Sequence, residues 1–260
     1  MKRLCFLIMA FLSMLSLTGC GERPAPRPNV ILITVDTLRA DRLGCYGNSL
    51  GLTPSIDALA RRSARFAAAY ASAPSTFPSV VSLLTGNHPE SSGAVNNYGF
   101  LPPDVPTIAG HLRGMGWRTA AVVSNYVLSE RAGLGAGFDR YDATFPQTEA
   151  VWKNPERIAA ETRSAALALV DSFDRGSSPL FLWVHFQDPH GPYVPPDDLA
   201  DRYLEAERAA PDGQVLLPLS NNVRGLGGIP TYQVVAGRRH AAEYRAAYDG
   251  EVRYADAEIG

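Results

Sequence analysis

The run Asn29-Val30-Ile31-Leu32-Ile33-Thr34-Val35-Asp36 constrains the fold of this chain more than any other segment. Six apolar or β-branched residues follow one another without polar alternation, the signature of a central parallel strand buried on both faces. Open α/β sheets place ligand chemistry at the carboxyl ends of such strands, and Asp36 stands there. Two further runs have the same character, residues 117–124 and Leu180–Phe186. Helical patterns lie between them. Strands alternating with helices predict an α/β layered fold, a mainly parallel central sheet flanked by helices. The strand ends Asp36, Ser124 and His185 are then expected to converge on one rim.

Between the runs, Thr53-Pro54 reads as an N-cap followed by an N1 proline, with Ile56, Leu59 and Ala60 at helical spacing. Residues 66–70 suggest a short strand, and residues 79–84 a helix beginning just after a turn at Pro78. Residues 107–115 form another short helix closed by Gly116, and Gly133, Gly135 and Gly137 mark a loop. Residues 155–173 predict a long amphipathic helix with Ile158, Leu167 and Val170 toward the core. Residues 211–237, punctuated by Gly and Pro, read as an excursion loop, and 240–260 as a helix.

With 260 residues, 46% of them hydrophobic, the chain suffices for one large core. A net charge of −2 gives nucleic-acid binding no electrostatic support. Residues 1–19 are read as an export signal, Lys2 and Arg3 preceding an apolar stretch from Leu4 to Leu17 that is short for a bilayer. Leu17-Thr18-Gly19-Cys20 is similar to a bacterial lipoprotein signal, which implies lipid on Cys20 after cleavage. Residues 20–28, rich in proline, then form a stiff tether. The protein is therefore expected to be exported and lipid-anchored to the cell envelope, on its periplasmic or extracellular face. Cys5 leaves with the signal, so Cys45 remains without a disulfide partner and reads as a packed residue near a turn.

Taken alone, Asp36 has two ordinary fates, capping a following helix or binding a hard cation. Its context is richer: Asp36-Thr37-Leu38-Arg39-Ala40-Asp41, then Thr76-Phe77-Pro78-Ser79 and Leu83-Leu84-Thr85-Gly86, then His185-Phe186-Gln187-Asp188-Pro189-His190-Gly191-Pro192-Tyr193. That succession resembles the sulfatase family of the alkaline phosphatase superfamily, over residues 29–260. The resemblance implies an alkaline phosphatase-like fold and a divalent metal ion (calcium, manganese, magnesium or zinc) held by Asp36 and Thr76. It implies catalysis by Thr76 and His190, and substrate binding by His185 and His190.

The match has departures. Thr76 stands where the family's C/S-x-P-S-R motif carries the Cys or Ser that is oxidised to formylglycine, and Val80 replaces the motif's arginine. Thr37 replaces a second acidic residue, and the family's G-K-W-H segment is absent, the strand ending Val123-Ser124-Asn125. Thr76 has two readings: a directly activated nucleophile, or a turn cap. In the first, the helix beyond Pro78 would turn its N–H groups toward the ester's oxyanion. The expected activity is metal-dependent hydrolysis of sulfate esters or related phosphoesters. The alternatives are a phosphodiesterase or phosphoryl-group transferase using Thr76 directly, and a non-catalytic truncated lipoprotein. The last arises because no downstream Asp-His or Asp-Asn metal pair appears before Gly260, so an incomplete catalytic domain is expected.

Overall fold

The computed structural model describes residues 27–173, 178–196, 198–222 and 225–260. The expected signal segment 1–19, Cys20 and most of the tether lie outside the described residues. The strands are β1 (Val30–Val35), β2 (Arg118–Val123), β3 (Arg140–Asp142), β4 (Gln147–Thr148), β5 (Pro155–Glu156) and β6 (Leu180–Phe186). The α-helices are α1 (Pro54–Ala60), α2 (Thr76–Thr85), α3 (Pro89–Ser92), α4 (Ile108–Gly114), α5 (Ala159–Asp171), α6 (Leu199–Ala209) and α7 (Ala241–Ile259). Four strands pair in the order β1-β6-β2-β3, all parallel, while β4 and β5 make a small antiparallel hairpin. Parallel neighbours need crossovers, and the helices between them supply these. The expected α/β layered fold is the one observed.

β6 holds the middle of the sheet and is buried along its whole length. Phe181 and Trp183 face a layer containing Phe77, Val81 and Leu84 of α2. Leu182, Val184 and Phe186 face the opposite layer, where Ala159 and Ala166 of α5 and Tyr254 and Ile259 of α7 pack. Each large apolar side chain so buried stabilises the fold by roughly 1.5–3 kcal/mol. A third cluster joins Leu52, Tyr203 of α6 and Tyr248 and Val252 of α7.

Four local expectations are corrected. β1 is not sandwiched on both sides: among the described residues it pairs only with β6, and Ile31 and Ile33 are 63% and 42% exposed. An apolar run reads alike whether or not a neighbour covers it. Residues 66–70 form no strand; Phe66 and Tyr70 stand in solvent, and the three alanines between them offer little to pack on a pleated surface. α2 begins at Thr76, two residues before Pro78, because a helix's first turn tolerates proline. Finally, 155–156 belong to β5, and α5 begins only at Ala159. Its buried face is Ala159, Thr162 and Ala166, while Leu167 and Val170 point outward. Small residues at that spacing let the helix lie close to the sheet.

The start of α1 also differs from expectation. Thr53 occupies the N-cap position, yet its hydroxyl accepts from the Gly44 N–H and donates to Asp57. The buried Asp256 of α7 caps α1 instead, accepting from the backbone N–H of Ser55 (3.0 Å) and Ile56 (2.9 Å). No helix among the described residues is long and apolar enough to cross a membrane.

Candidate active site

Parallel register decides which side chains meet at the rim. Val35 of β1 lies beside Phe186 of β6, and Val123 of β2 beside His185. Asp36 extends the ladder by one bond, its N–H donating to the Phe186 carbonyl at 3.0 Å. Its carboxylate is nearly buried and collects donors from three other segments. Asn125, just past β2, donates from Nδ2 to Oδ2 at 2.8 Å. Thr76, at the start of α2, donates from Oγ1 to the same oxygen at 3.0 Å. His185 of β6 brings Nε2 to 3.5 Å from it, a charge contact rather than a hydrogen bond.

These contacts set the charge of the site. Burial alone would raise the Asp36 pKa. The nearby His185 imidazole, the field of His190 and the Asn125 amide outweigh it and lower the pKa to about 2. Asp36 is therefore anionic throughout the physiological range.

His185 is positioned from behind. Thr34 stands opposite it in the β1–β6 register, with Oγ1 2.8 Å from Nδ1, and the same oxygen accepts the Trp183 indole N–H at 2.9 Å. The Thr34 oxygen thus holds the imidazole at Nδ1 and turns Nε2 toward Asp36. The turn after Asp36 is braced by Tyr248 of α7. Its phenol accepts from Arg39 N–H (2.9 Å) and donates to the Thr37 carbonyl (2.8 Å), while Thr37 sits at φ 52°. A β-branched residue there is strained by about 1–3 kcal/mol and needs such support.

His190 arrives on the loop after β6. Its Nδ1 lies 2.7 Å from the Gly191 carbonyl, and its ring stacks on Tyr232 at 5.9 Å between centroids. Its backbone N–H donates to the Gln187 carbonyl at 2.9 Å, which keeps it close to the end of β6, where Phe186 bonds to Asp36. Asp36, Thr76 and His185 thus converge as the sequence implied. Ser124 does not: its hydroxyl is buried against Thr162 at 2.6 Å, and Asn125 takes the rim position. The start of α2 is also no open oxyanion cradle. Phe77 N–H donates to Asn97, Pro78 has none, and Ser79 N–H goes to the Ser75 carbonyl. Cys45 is bonded elsewhere, its N–H donating to Asp57 at 2.7 Å. Burial and the neighbouring charge of Asp57 push its thiol pKa up, which argues against a nucleophile.

Asp36 and Thr76 bring a carboxylate and a hydroxyl oxygen to within 3.0 Å of each other, a pairing suited to a hard divalent cation. They fit as part of a shell of six or more oxygens. Among the described residues no group of three His, Cys, Asp or Glu side chains completes it.

Sequence reasoning missed Thr34 and Asn125. A signal existed for the first: Thr34 and His185 are the polar residues of two buried-type runs, and such residues need each other. Asn125 required the register of β2 against β6.

A family model described as Sulfatase matches residues 28–260. Steryl-sulfatase of Rattus norvegicus is 39% identical over 114 residues, covering 40% of this chain and 20% of that protein. N-acetylglucosamine-6-O-sulfatase of Bacteroides thetaiotaomicron is 26% identical over 200 residues, covering 71% of this chain and 35% of that protein. The chain thus spans about a fifth to a third of the length of these relatives. The solved phosphonate monoester hydrolase of Agrobacterium radiobacter superposes with a TM-score of 0.63 at 19% identity, over 90% of this chain and 58% of that one. At that identity the likeness concerns the fold alone.

Proposed function

The chain belongs to the sulfatase family, and from that membership we propose that it hydrolyses sulfate esters at the rim where Asp36, Thr76, Asn125 and His185 meet. The observation that carries the proposal is the 3.0 Å hydrogen bond from Thr76 Oγ1 to Asp36 Oδ2, at the carboxyl end of a parallel sheet. Thr76 is the nucleophile. Its Oγ1 attacks sulfur as the hydroxyl proton passes to solvent, the bond from sulfur to the ester oxygen breaks, and the departing alcohol takes a proton from His190. Water then attacks the same sulfur and the bond from sulfur to Oγ1 breaks. One water proton restores the Thr76 hydroxyl and the other returns to His190 as sulfate leaves.

A threonine hydroxyl needs activation, since its pKa lies far above 7. Asp36 fixes the hydroxyl's direction but, with a pKa of about 2, it is too weak a base to take the proton at neutral pH. A divalent cation held by Asp36 and Thr76 would supply that acidification and neutralise charge on the sulfuryl oxygens. Asn125 and His185 hold the carboxylate in place. The names of the relatives favour a sulfate ester over a phosphodiester. In the same reading, the lipid on Cys20 holds the protein at the cell envelope.

The test is the rate on 4-nitrophenyl sulfate, D-glucosamine 6-sulfate and bis(4-nitrophenyl) phosphate, after EDTA treatment and after adding Mn²⁺, Ca²⁺, Mg²⁺ or Zn²⁺ singly. Metal-restored sulfate release that disappears in Thr76→Ala supports the proposal. Phosphodiester cleavage without sulfate release would overturn the choice of ester, and undiminished turnover by Thr76→Ala the choice of nucleophile.

A further inference from the structure

Two elements beyond the strand ends bring aromatic rings to the rim. The β4–β5 hairpin is tied to the site at its base, where Glu156 bridges Asn125, whose amide in turn donates to Asp36. The hairpin's tip carries Trp152, 47% exposed. The excursion loop, residues 211–237, carries Tyr232 on a short 3-10 turn, Thr231–Gln233. Trp152 packs on Tyr232 with ring centroids 5.7 Å apart and planes at 57°. Tyr232 stacks on His190 at 5.9 Å and 27°. Through the His190 stack and the Glu156–Asn125 bridge the rings join the rim at two points.

The wall runs from the proton donor proposed for the leaving group out to a half-exposed indole. A group stacked along it is the alcohol part of the ester, not the sulfate. Three features identify its chemistry. The wall ends in the half-exposed Trp152, whereas a large fused apolar skeleton requires enclosure on most of its surface. Lys153 adjoins Trp152, which disfavours a cationic head group. An amide accompanies the rings: Gln233 Nε2 donates to the Tyr232 phenol at 3.2 Å. An aromatic face accompanied by an amide matches a pyranose, which offers C–H groups on its face and hydroxyls around its edge.

We propose that Trp152 and Tyr232 form the leaving-group subsite, a stacking wall that selects sulfate esters borne on a sugar ring. This rests on the sulfate-ester reading above, and the two fail differently. The kinetic test compares wild type, Trp152→Ala, Trp152→Phe and Tyr232→Ala on D-glucosamine 6-sulfate, on 4-nitrophenyl sulfate and on the ring-free ester ethyl sulfate. Loss of the indole face should raise KM for the sugar ester by about tenfold with kcat within a factor of about two. Trp152→Phe should restore most of that loss, and ethyl sulfate should be indifferent to both changes. Equal KM values in wild type and Trp152→Ala on the sugar ester would overturn the subsite. An effect confined to 4-nitrophenyl sulfate would overturn the sugar.

A second measurement does not depend on turnover. D-glucosamine 6-sulfate is titrated into the ¹⁵N-tryptophan-labelled protein, the Trp152 indole signal being assigned with Trp152→Phe. The expected result is a saturable shift of that signal that weakens in Tyr232→Ala. A saturable shift without sulfate release would leave the subsite standing and sink the hydrolase reading. An unmoved Trp152 signal at millimolar sugar would sink the subsite.

Discussion

Thr76 Oγ1 donates to Asp36 Oδ2 across 3.0 Å although forty positions separate them, one residue opening a helix and the other closing a strand. The contact makes Thr76 more than a turn cap, because its hydroxyl points to the most strongly anionic group of the rim. Thr76→Ser keeps an oxygen in that place and should retain turnover within about tenfold. Thr76→Val keeps the shape and removes the hydroxyl; it should lower kcat by at least about a thousandfold, the scale of losing a nucleophile. Initial rates on 4-nitrophenyl sulfate, with circular dichroism to confirm folding, decide between them.

Asp36 also shapes the acid limb of stability. Its folded pKa is about 2, below its ordinary value of 3.8, so it stabilises the native state above pH 4 and that stabilisation is lost as pH falls through about 2. The lost contribution is about 2 kcal/mol. In Asp36→Asn this acid dependence should disappear, and the midpoint of urea unfolding should become flatter between pH 4 and pH 2.5. An unchanged slope would show that Asp36 is not held as an anion by these neighbours.

Other buried acids act in the opposite direction. Burial raises Asp188 to about 6, aided by the nearby negative charge of Glu161, although its hydrogen bond with Glu251 opposes this. Glu251 is raised well above the usual carboxylate range by burial and by Asp188. Asp249 is pushed to about 7, chiefly by burial. For acids raised in the folded state, stability is complete below the unfolded pKa and falls as pH rises through the folded one. The thermal midpoint should therefore decline from pH 5 to pH 8. Glu251→Gln retains the acceptor that Val194 N–H uses at 2.8 Å and removes a proton-binding site. Its midpoint should fall less over that interval. An equal fall would remove the Asp188–Glu251 pair as the cause.

Much of this site was legible in the sequence, and what was not has a common cause. Asp36, Thr76 and His190 stand out because the chemistry sits in short motifs whose internal order survives without three-dimensional information. The alternation of buried-type strands and helices gave the parallel sheet. What stayed hidden depends on register and on the far side of the chain. Asn125 instead of Ser124 reaches Asp36 because one residue past a strand reverses the facing of a side chain. Trp152 and Tyr232 lie eighty residues apart on segments with no periodicity, so nothing local links them. The outward Leu167 and Val170 show the converse, an apolar pattern that packing overrode in favour of Ala159, Thr162 and Ala166.

The lipid proposed on Cys20 is testable apart from catalysis. Expressed from its own signal in a bacterial host, the protein should sediment with membranes and incorporate labelled palmitate. Cys20→Ala should abolish labelling and leave the hydrophobic leader uncleaved at that site. Release of a label-free wild-type protein into the soluble envelope fraction would remove the anchor.

Asp256 tests how the amino-terminal and carboxyl-terminal parts of the described fold depend on each other. Its buried carboxylate reaches across from α7 to accept two N–H groups at the start of α1, a capping role that the local residue Thr53 does not fill. The charge also faces the positive end of that helix. In Asp256→Ala those donors lose their partners inside the protein, at a cost of about 1–2 kcal/mol. Asp256→Asn keeps one acceptor oxygen and should lose about half as much. α1 packs against the turn around Gly44, where Gly44 and Cys45 N–H bond to Thr53 and Asp57. Loosening α1 should therefore raise the reactivity of Cys45 toward a thiol reagent in Asp256→Ala before global unfolding begins. Urea titration together with the rate of Cys45 labelling measures both effects. Unchanged labelling with unchanged stability would mean that α1 is held by its packing rather than by its cap.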